Sequence, residues 1–289
     1  MSHRQRLEPA SADALPDIAL CESCRGELLD PNNRRYRYPF INCAHCGPRR
    51  SIIDHLPYTR ANTSMRGFVM CHACEREYHN PLDRRYHAEP NACPVCGPHV
   101  ALRDASGAVV AERDSAVTAA ANAIRAGRLV AVKGLGGYRL LADATDEAAL
   151  SGLQLRHRRE DALLVVMCPD LECIQQHAWL SPADAQMLVS PHAPIVLVDA
   201  RINGPHTLSP AVLGNRRQLG VLLPSTPLQV LLMRDLRRPI AVTISSPPDA
   251  SANTAEREAI ERFDGVADVY LVHDRPILRH VPDTFARVL

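Results

Sequence analysis

The sequence predicts an α/β fold, a twisted mixed sheet with helices, preceded by a small duplicated metal-binding module. Three observations lead there. Four Cys-x2-Cys pairs stand before residue 100. From about Asp114 the hydrophobic pattern switches to alternating helical and extended runs. Between the two lies a short hydrophilic stretch, residues 103–113 with Gly107, which reads as a connector.

Residues 1–17 read as a flexible lead. They are polar, contain Pro9 and Pro16, and lack the apolar run of a signal peptide. No apolar run approaches the ~20 residues that cross a bilayer, so no membrane partner is expected.

Residues 18–100 hold the metal module. The pairs are Cys21/Cys24, Cys43/Cys46, Cys71/Cys74 and Cys93/Cys96, with 18, 24 and 18 residues between successive pairs. Each motif therefore recurs fifty positions later. The flanks recur too: Arg34-Arg35-Tyr36 as Arg84-Arg85-Tyr86, and Cys46-Gly47-Pro48 as Cys96-Gly97-Pro98. Two cysteines two residues apart on a tight turn aim both thiolates at one ion, and two such turns complete a tetrahedral site. Zinc suits four thiolates and stabilises a segment too poor in apolar residues for its own core, with iron as the alternative. A site closed by four sulfurs is structural. A disulfide framework is the competing reading, opposed by the paired spacing and the length of the chain. Pairing in sequence order is the default, and a crossed pairing stays open. Free thiolates imply a reduced, cytoplasmic setting.

Composition limits the partners. The formal charge of +1 argues against a broad nucleic-acid surface. Residues 21–96 carry 11 arginines against 8 acids. Two four-thiolate zinc sites add about −4, so the Arg-Arg runs read as partners for thiolates and acids. Local basic grooves keep RNA among the expectations. Cys168 and Cys173, without a Cys-x2-Cys partner, read as small buried hydrophobes.

Asp114 or Ser115 is expected to cap a helix through about Ala126, which Gly127 stops. Residues 129–132 read as a buried strand, 134–137 as a loop and 138–142 as a second extended run. Thr145 is expected to cap a helix ending at 156–159. Further strands are expected at 163–167, 195–198, 220–223, 240–245 and 269–272. Further helices are expected at 169–177, 182–188, 227–234 and 252–263. Residues 114–289 thus form the α/β domain.

Lys133-Gly-Leu-Gly-Gly-Tyr138 follows a strand, so its glycines would let amides approach an anion. It lacks the Gly-Lys-Ser/Thr of a Walker loop, and a tight inter-strand turn is the competing reading. Lys133 is the one lysine among 33 basic residues, where a compact ammonium differs most from a guanidinium.

The cysteine array, its Arg-Arg-Tyr and Cys-Gly-Pro repeats, and Asn62-Thr63-Ser64-Met65 between its halves closely resemble the zinc-finger region of HypF-type carbamoyltransferases of nickel-iron hydrogenase maturation. Lys133-Gly-Leu-Gly-Gly-Tyr138, Asp143-Ala-Thr145, Leu219-Gly-Val-Leu-Leu-Pro224 with Thr226-Pro227, and Ala267-Asp268 with His273-Asp274-Arg275-Pro276-Ile277 look like that family's YrdC-like nucleotide-binding domain. The resemblance covers about residues 17–289 and corresponds to the middle of the family architecture. It implies two zinc ions, and a carbamoyl-adenylate made from ATP and a carbamoyl group supplied by carbamoyl phosphate or carbamate. A hydrogenase-maturation protein would then accept the carbamoyl group.

In that chemistry a carbamoyl oxygen attacks the α-phosphate as pyrophosphate leaves, which calls for cations and amides around the triphosphate. Lys133 and Arg158 are the candidates, with Ser245 donating to a phosphate. Gly134, Gly136, Gly137 and Tyr138 are expected to cradle the ligand, and Arg275 to complete the rim. Arg158 equally reads as a solvated helix terminus, Ser245 as a strand-end cap, and Arg275 as a partner for Asp274 or Asp268. The chain departs from the family pattern at Arg159-Glu160-Asp161-Ala162-Leu163, at Thr243-Ile244-Ser245-Ser246-Pro247 and at Pro282-Asp283. These departures set a second reading beside the first: a degenerate platform binding a maturation partner or double-stranded RNA. Threonylcarbamoyl-adenylate synthesis for tRNA is a third reading, opposed by the zinc array.

Overall fold

Cys21 and Cys71 each end an extended segment and start a helix with the next cysteine of the pair in its first turn. The computed structural model describes residues 15–157, 164–201, 208–214, 216–244, 260–261 and 263–288. Helices α1 (Glu22–Leu29) and α2 (His72–His79) are one structure written twice. Their N-caps have φ/ψ of −74/159 and −71/160, and their C-caps, Asp30 and Asn80, −87/113 and −89/111. The Asx turns repeat as well. Asn33 accepts from the Arg35 amide at 2.9 Å and Asp83 from the Arg85 amide at 2.8 Å.

The expected connector is a hairpin. Strand β1 (Val100–Asp104) and β2 (Val109–Glu112) pair antiparallel, and β1 continues into the main sheet. Val100 and Leu102 alternate inward and are buried, a two-residue period that the surrounding charges mask. Helix α3 (Arg113–Arg125) follows without the expected side-chain cap. Its N-cap is Glu112, because the Asp114 carboxylate is drawn outward to Arg37 Nε of the first finger at 2.5 Å, and the Ser115 hydroxyl donates to the Glu112 carbonyl. Gly127 ends it at φ +74.

Next come β3 (Val130–Lys133), β4 (Tyr138–Asp143) and α4 (Glu147–His157). Thr145 does not cap α4; it donates twice to Asp143, and Asp146 accepts the Ala149 amide at 3.0 Å. Then follow β5 (Leu164–Met167), α5 (Leu171–His177), β6 (Ala178–Trp179), α6 (Pro182–Leu188), β7 (Ile195–Ala200) and α7 (Pro210–Leu213). The chain finishes through β8 (Gln218–Leu222), α8 (Pro227–Leu236), β9 (Ile240–Thr243), β10 (Val269–His273) and β11 (Phe285–Ala286). The helix expected at 252–263 falls largely outside the described residues, as do residues 1–14 of the lead. Strand β9 stops at Thr243, short of the expected 245.

The sheet runs β11-β7-β8-β5-β9-β4-β3-β10-β1-β2, with β6 on β7. It is mixed: β10–β3, β5–β8 and β11–β7 are parallel and the other pairings antiparallel. Alternation along its strands divides the core into two layers. Ala131, Leu140, Val166 and Tyr270 face one layer. Val132, Leu141, Val242 and Leu271 face the other, which continues without a break through α3 and α8 into Tyr38, Phe40, Ile41 and Met65 of the fingers. The fingers are therefore built onto one face of the sheet. Main-chain pairing fixes them there, with the Leu20 amide on the Ser225 carbonyl at 2.8 Å and the Leu278 amide on the Ser51 carbonyl at 2.9 Å.

Candidate functional site

The eight thiols gather in two groups of four, Cys21, Cys24, Cys43 and Cys46, and Cys71, Cys74, Cys93 and Cys96. The pairing follows sequence order. Within the first group the sulfurs stand 3.7 Å (Cys21–Cys43), 3.8 Å (Cys43–Cys46) and 3.5 Å (Cys24–Cys46) apart. The second group repeats these at 3.7, 3.8 and 3.6 Å. A Zn–S bond of about 2.3 Å in a tetrahedron requires sulfurs about 3.8 Å apart, whereas a disulfide would bring them to about 2.05 Å. The arrangement fits zinc and excludes the disulfide framework among these eight.

Each cluster is served by the other half of the module. Arg84 Nη2 lies 3.2 Å from Cys24 Sγ, and Arg34 Nη2 lies 3.4 Å from Cys74 Sγ. These donors disperse the charge of four thiolates. Arg34 and Arg35 also close on Glu77, and Arg84 and Arg85 on Glu27. Burial pushes Glu77 up, but the hydrogen bonds from Arg35 and Arg34 outweigh it and hold the carboxyl at about 2. Glu27 is lowered in the same way by Arg85 and Arg84. The Arg-Arg runs partner thiolates and acids, as their context implied.

A cavity of about 390 Å³ lies between the first finger and the sheet. The glycine turn forms one wall. The Gly134 amide is taken by the Gly137 carbonyl at 2.8 Å, so that donor closes the turn rather than facing a ligand. Gly137 has φ +152, and a Cβ on Gly136 would meet the Val281 backbone nitrogen at 2.5 Å. These two positions need glycine for the turn and for the chain crossing it.

Lys133 ends β3 and lines the cavity, 5% exposed, with its Nζ donating to the His273 carbonyl at 2.9 Å. Arg275 lines it from the end of β10 and is equally buried. Burial lowers the Arg275 guanidinium, and its cation lies over the Phe40 ring, 5.1 Å from the centroid. His273 is held far below the ordinary imidazole value by burial first, then by Lys133 and Arg275, so its ring is neutral at pH 7. Its Nε2 lies 3.3 Å from the Gly134 carbonyl, and its Nδ1 has no hydrogen-bond partner among the described residues.

Tyr138 does not reach the cavity. As the first residue of β4 it points into the opposite layer with Leu140, and Arg139 takes the cavity side by alternation. Arg139 pairs with Asp283 at 2.5 Å. Arg158 and Ser245 lie outside the described residues. Besides Arg139, the cavity receives Arg50 and Asp283, which sequence reasoning had not assigned to it. The parity of β4 alone would have found Arg139. Cys168 is buried as expected, but Cys173 is half-buried and distinct. A hydrogen bond from Cys168, joined by one from His177, overcomes burial and lowers its thiol to about 6.

Comparison with known proteins places this geometry. The HypF finger family model matches twice, at residues 20–53 and 70–103. The Sua5/YciO/YrdC model, described as "Telomere recombination", matches residues 122–289. The chain is 45% identical over 283 residues to the carbamoyltransferase HypF of Synechocystis sp., covering 97% of this chain and 36% of that protein. It is 38% identical to a solved full-length HypF in its phosphate- and nucleotide-bound form, at a TM-score of 0.86, covering 94% of this chain and 35% of that one. Escherichia coli YciO shares the fold at 18% identity and a TM-score of 0.50, covering 62% of this chain and 86% of that one. The chain spans about a third of the length of the curated relatives it matches. Among the described residues no helix is long and apolar enough to cross a membrane.

Proposed function

We propose a function from the premise that the chain belongs to the Sua5/YciO/YrdC family, in the HypF-type form that carries two fingers ahead of that domain. It binds ATP in the cavity and joins a carbamoyl group, from carbamoyl phosphate or carbamate, to the α-phosphate. Where carbamoyl phosphate is the source, water first cleaves it to carbamate and inorganic phosphate. A carbamate oxygen then forms the new bond to the α-phosphorus, the bond to the bridging oxygen of the β-phosphate breaks, and pyrophosphate leaves with that oxygen. The product is carbamoyl adenylate, for delivery to a hydrogenase-maturation protein.

One observation carries the reading: Lys133, Arg139 and Arg275 all line a cavity beside a glycine turn, whose apolar lining includes Leu141 and Val242. Cations held in a desolvated pocket balance charge moving onto pyrophosphate more strongly than in water. Neutral His273 donates to the Gly134 carbonyl without adding charge, and buried Lys133 supplies a fixed ammonium. The two cysteine groups would each hold a zinc ion, which would supply structure rather than chemistry. Arg158 and Ser245 keep their proposed roles at the triphosphate, Gly136 and Gly137 theirs as the ligand-facing turn.

The test is exchange of labelled pyrophosphate into ATP by zinc-loaded protein, with carbamoyl phosphate and with bicarbonate plus ammonium. Dependence on the carbamoyl donor is expected, and absence of exchange with either would sink the reading. The Arg139–Asp283 pair favours a second reading, a platform without turnover that docks a maturation partner or double-stranded RNA, because it places an acid against a cavity cation. Saturable ATP binding that disappears in Lys133→Ala would count against the platform.

A further inference from the structure

The ligand cavity is not confined to the α/β domain. Phe40, Pro48 and Arg50 belong to the first finger, and they line the cavity together with the glycine turn. The Phe40 ring is 5% exposed and carries the Arg275 guanidinium on its face. The His273 ring meets it edge-on at 5.3 Å, and the His273 carbonyl holds the Lys133 ammonium. A desolvated guanidinium over an aromatic face is fixed in both position and orientation. One ring of the finger therefore orders a chain of contacts ending on the only lysine. Arg50 approaches from the turn that follows Cys46. That turn is pinned by Asp17, which accepts the Arg49 amide at 2.6 Å and the Ser51 amide at 3.2 Å.

The duplication supplies an internal control. Residues that hold the module together recur fifty positions on: the cysteines, Arg34 and Arg35, Glu27, Gly47 and Pro48. Two of the cavity-lining residues, Phe40 and Arg50, do not. Phe40 corresponds to Pro90, and Arg50 to Val100, which instead starts β1. The second finger, remote from the cavity, has kept the scaffold and carries neither side chain.

We infer that the first finger is a wall of the ligand site, with Phe40 positioning Arg275 and His273 and Arg50 placing a cation against a polyphosphate ligand. This rests on the nucleotide reading above and assigns part of that site to the zinc module. The interaction is charge-assisted, so its loss is read as affinity for the phosphate chain and not as a change of fold.

Calorimetric titration of the zinc-loaded chain with inorganic pyrophosphate, and then with ATP, tests it. Arg50→Gln is expected to weaken pyrophosphate about tenfold or more, with Arg50→Lys recovering most of the loss. Arg49→Gln removes the same charge outside the cavity and is expected to bind as wild type. Phe40→Leu is expected to weaken pyrophosphate several-fold with its zinc content unchanged. Wild-type binding that survives intact in both Arg50→Gln and Phe40→Leu would overturn the inference and leave the nucleotide reading standing. A wild-type chain that binds neither probe would overturn both. Binding that falls as expected in a chain without pyrophosphate exchange would uphold the composite site and remove the adenylation reading.

Discussion

Arg35 of the first finger, 1% exposed, reaches across the module and closes on Glu77 of the second at 2.5 Å. It also donates to the Ala92 carbonyl at 2.8 Å and to Asn91 Oδ1 at 3.0 Å. Every nitrogen of a buried guanidinium is thereby engaged within the partner finger. Glu77→Gln is expected to destabilise the protein by about 3 kcal/mol, because it leaves a buried cation short of its counter-charge. Denaturant unfolding at pH 7 measures it.

The acid limb of stability follows from the same pair. A carboxyl held at about 2 when folded and near 4.3 when unfolded contributes stability above the unfolded value, and that contribution is lost as pH falls toward the folded one. Glu27, lowered in the same direction, adds to the effect. The gap in melting temperature between wild type and Glu77→Gln is expected to hold from pH 7 to about 5 and to narrow below about 4.3. A gap that stays constant down to pH 3 would contradict the assignment.

Metal removal is expected to act regionally. Four-thiolate zinc sites contribute on the order of 10 kcal/mol each to the fold around them, whereas one apolar layer of the sheet contains no finger residue. A chelator should expose residues 21–96 to limited proteolysis while fragments spanning the sheet persist, and zinc should restore resistance. Mass spectrometry of the digest distinguishes this from global unfolding.

Gly136→Ala tests the crossing of the glycine turn by the C-terminal segment. The added methyl meets the Val281 backbone and side chain below 3 Å. The expected cost is about 1–3 kcal/mol, with loss of the His280 contact to the Gly136 carbonyl at 2.7 Å. Amides around residues 279–284 should lose hydrogen-exchange protection while those of β5 and β8 keep theirs.

Cys173 is expected to be the faster of the two thiols outside the finger array. Its thiol is lowered to about 6, so it is largely thiolate at neutral pH, and it is half-buried where Cys168 is fully buried. Iodoacetamide at pH 7 should label Cys173 before Cys168 in zinc-loaded protein, and His177→Ala should slow the reaction. Equal rates at the two positions would refute this.

Much of this was legible in the sequence because it rests on local spacing. The Cys-x2-Cys pairs specify their own turns, and Pro182–Leu188 forms as its capping box, Ser181 with Asp184, dictates. Other features depend on residues far apart in the chain. Asp114 reads as a cap until Arg37 is brought beside it, and the hairpin of β1 reads as a linker until β10 supplies its partner. Arg139 follows Tyr138 in β4, and alternation assigns the two to opposite faces, the arginine to the cavity side. No local pattern announces that Arg50, in a metal knuckle, lines a cavity with Lys133.

The exchanged arginines carry a last consequence. Arg35 pairs with Glu77 and Arg85 with Glu27, so position i meets the copy of j while j meets the copy of i. That is the contact pattern of an isologous, two-fold interface. The tandem module is a homodimer written into a single polypeptide, and a peptide cut to one finger would seek a second molecule of itself to satisfy its own guanidinium.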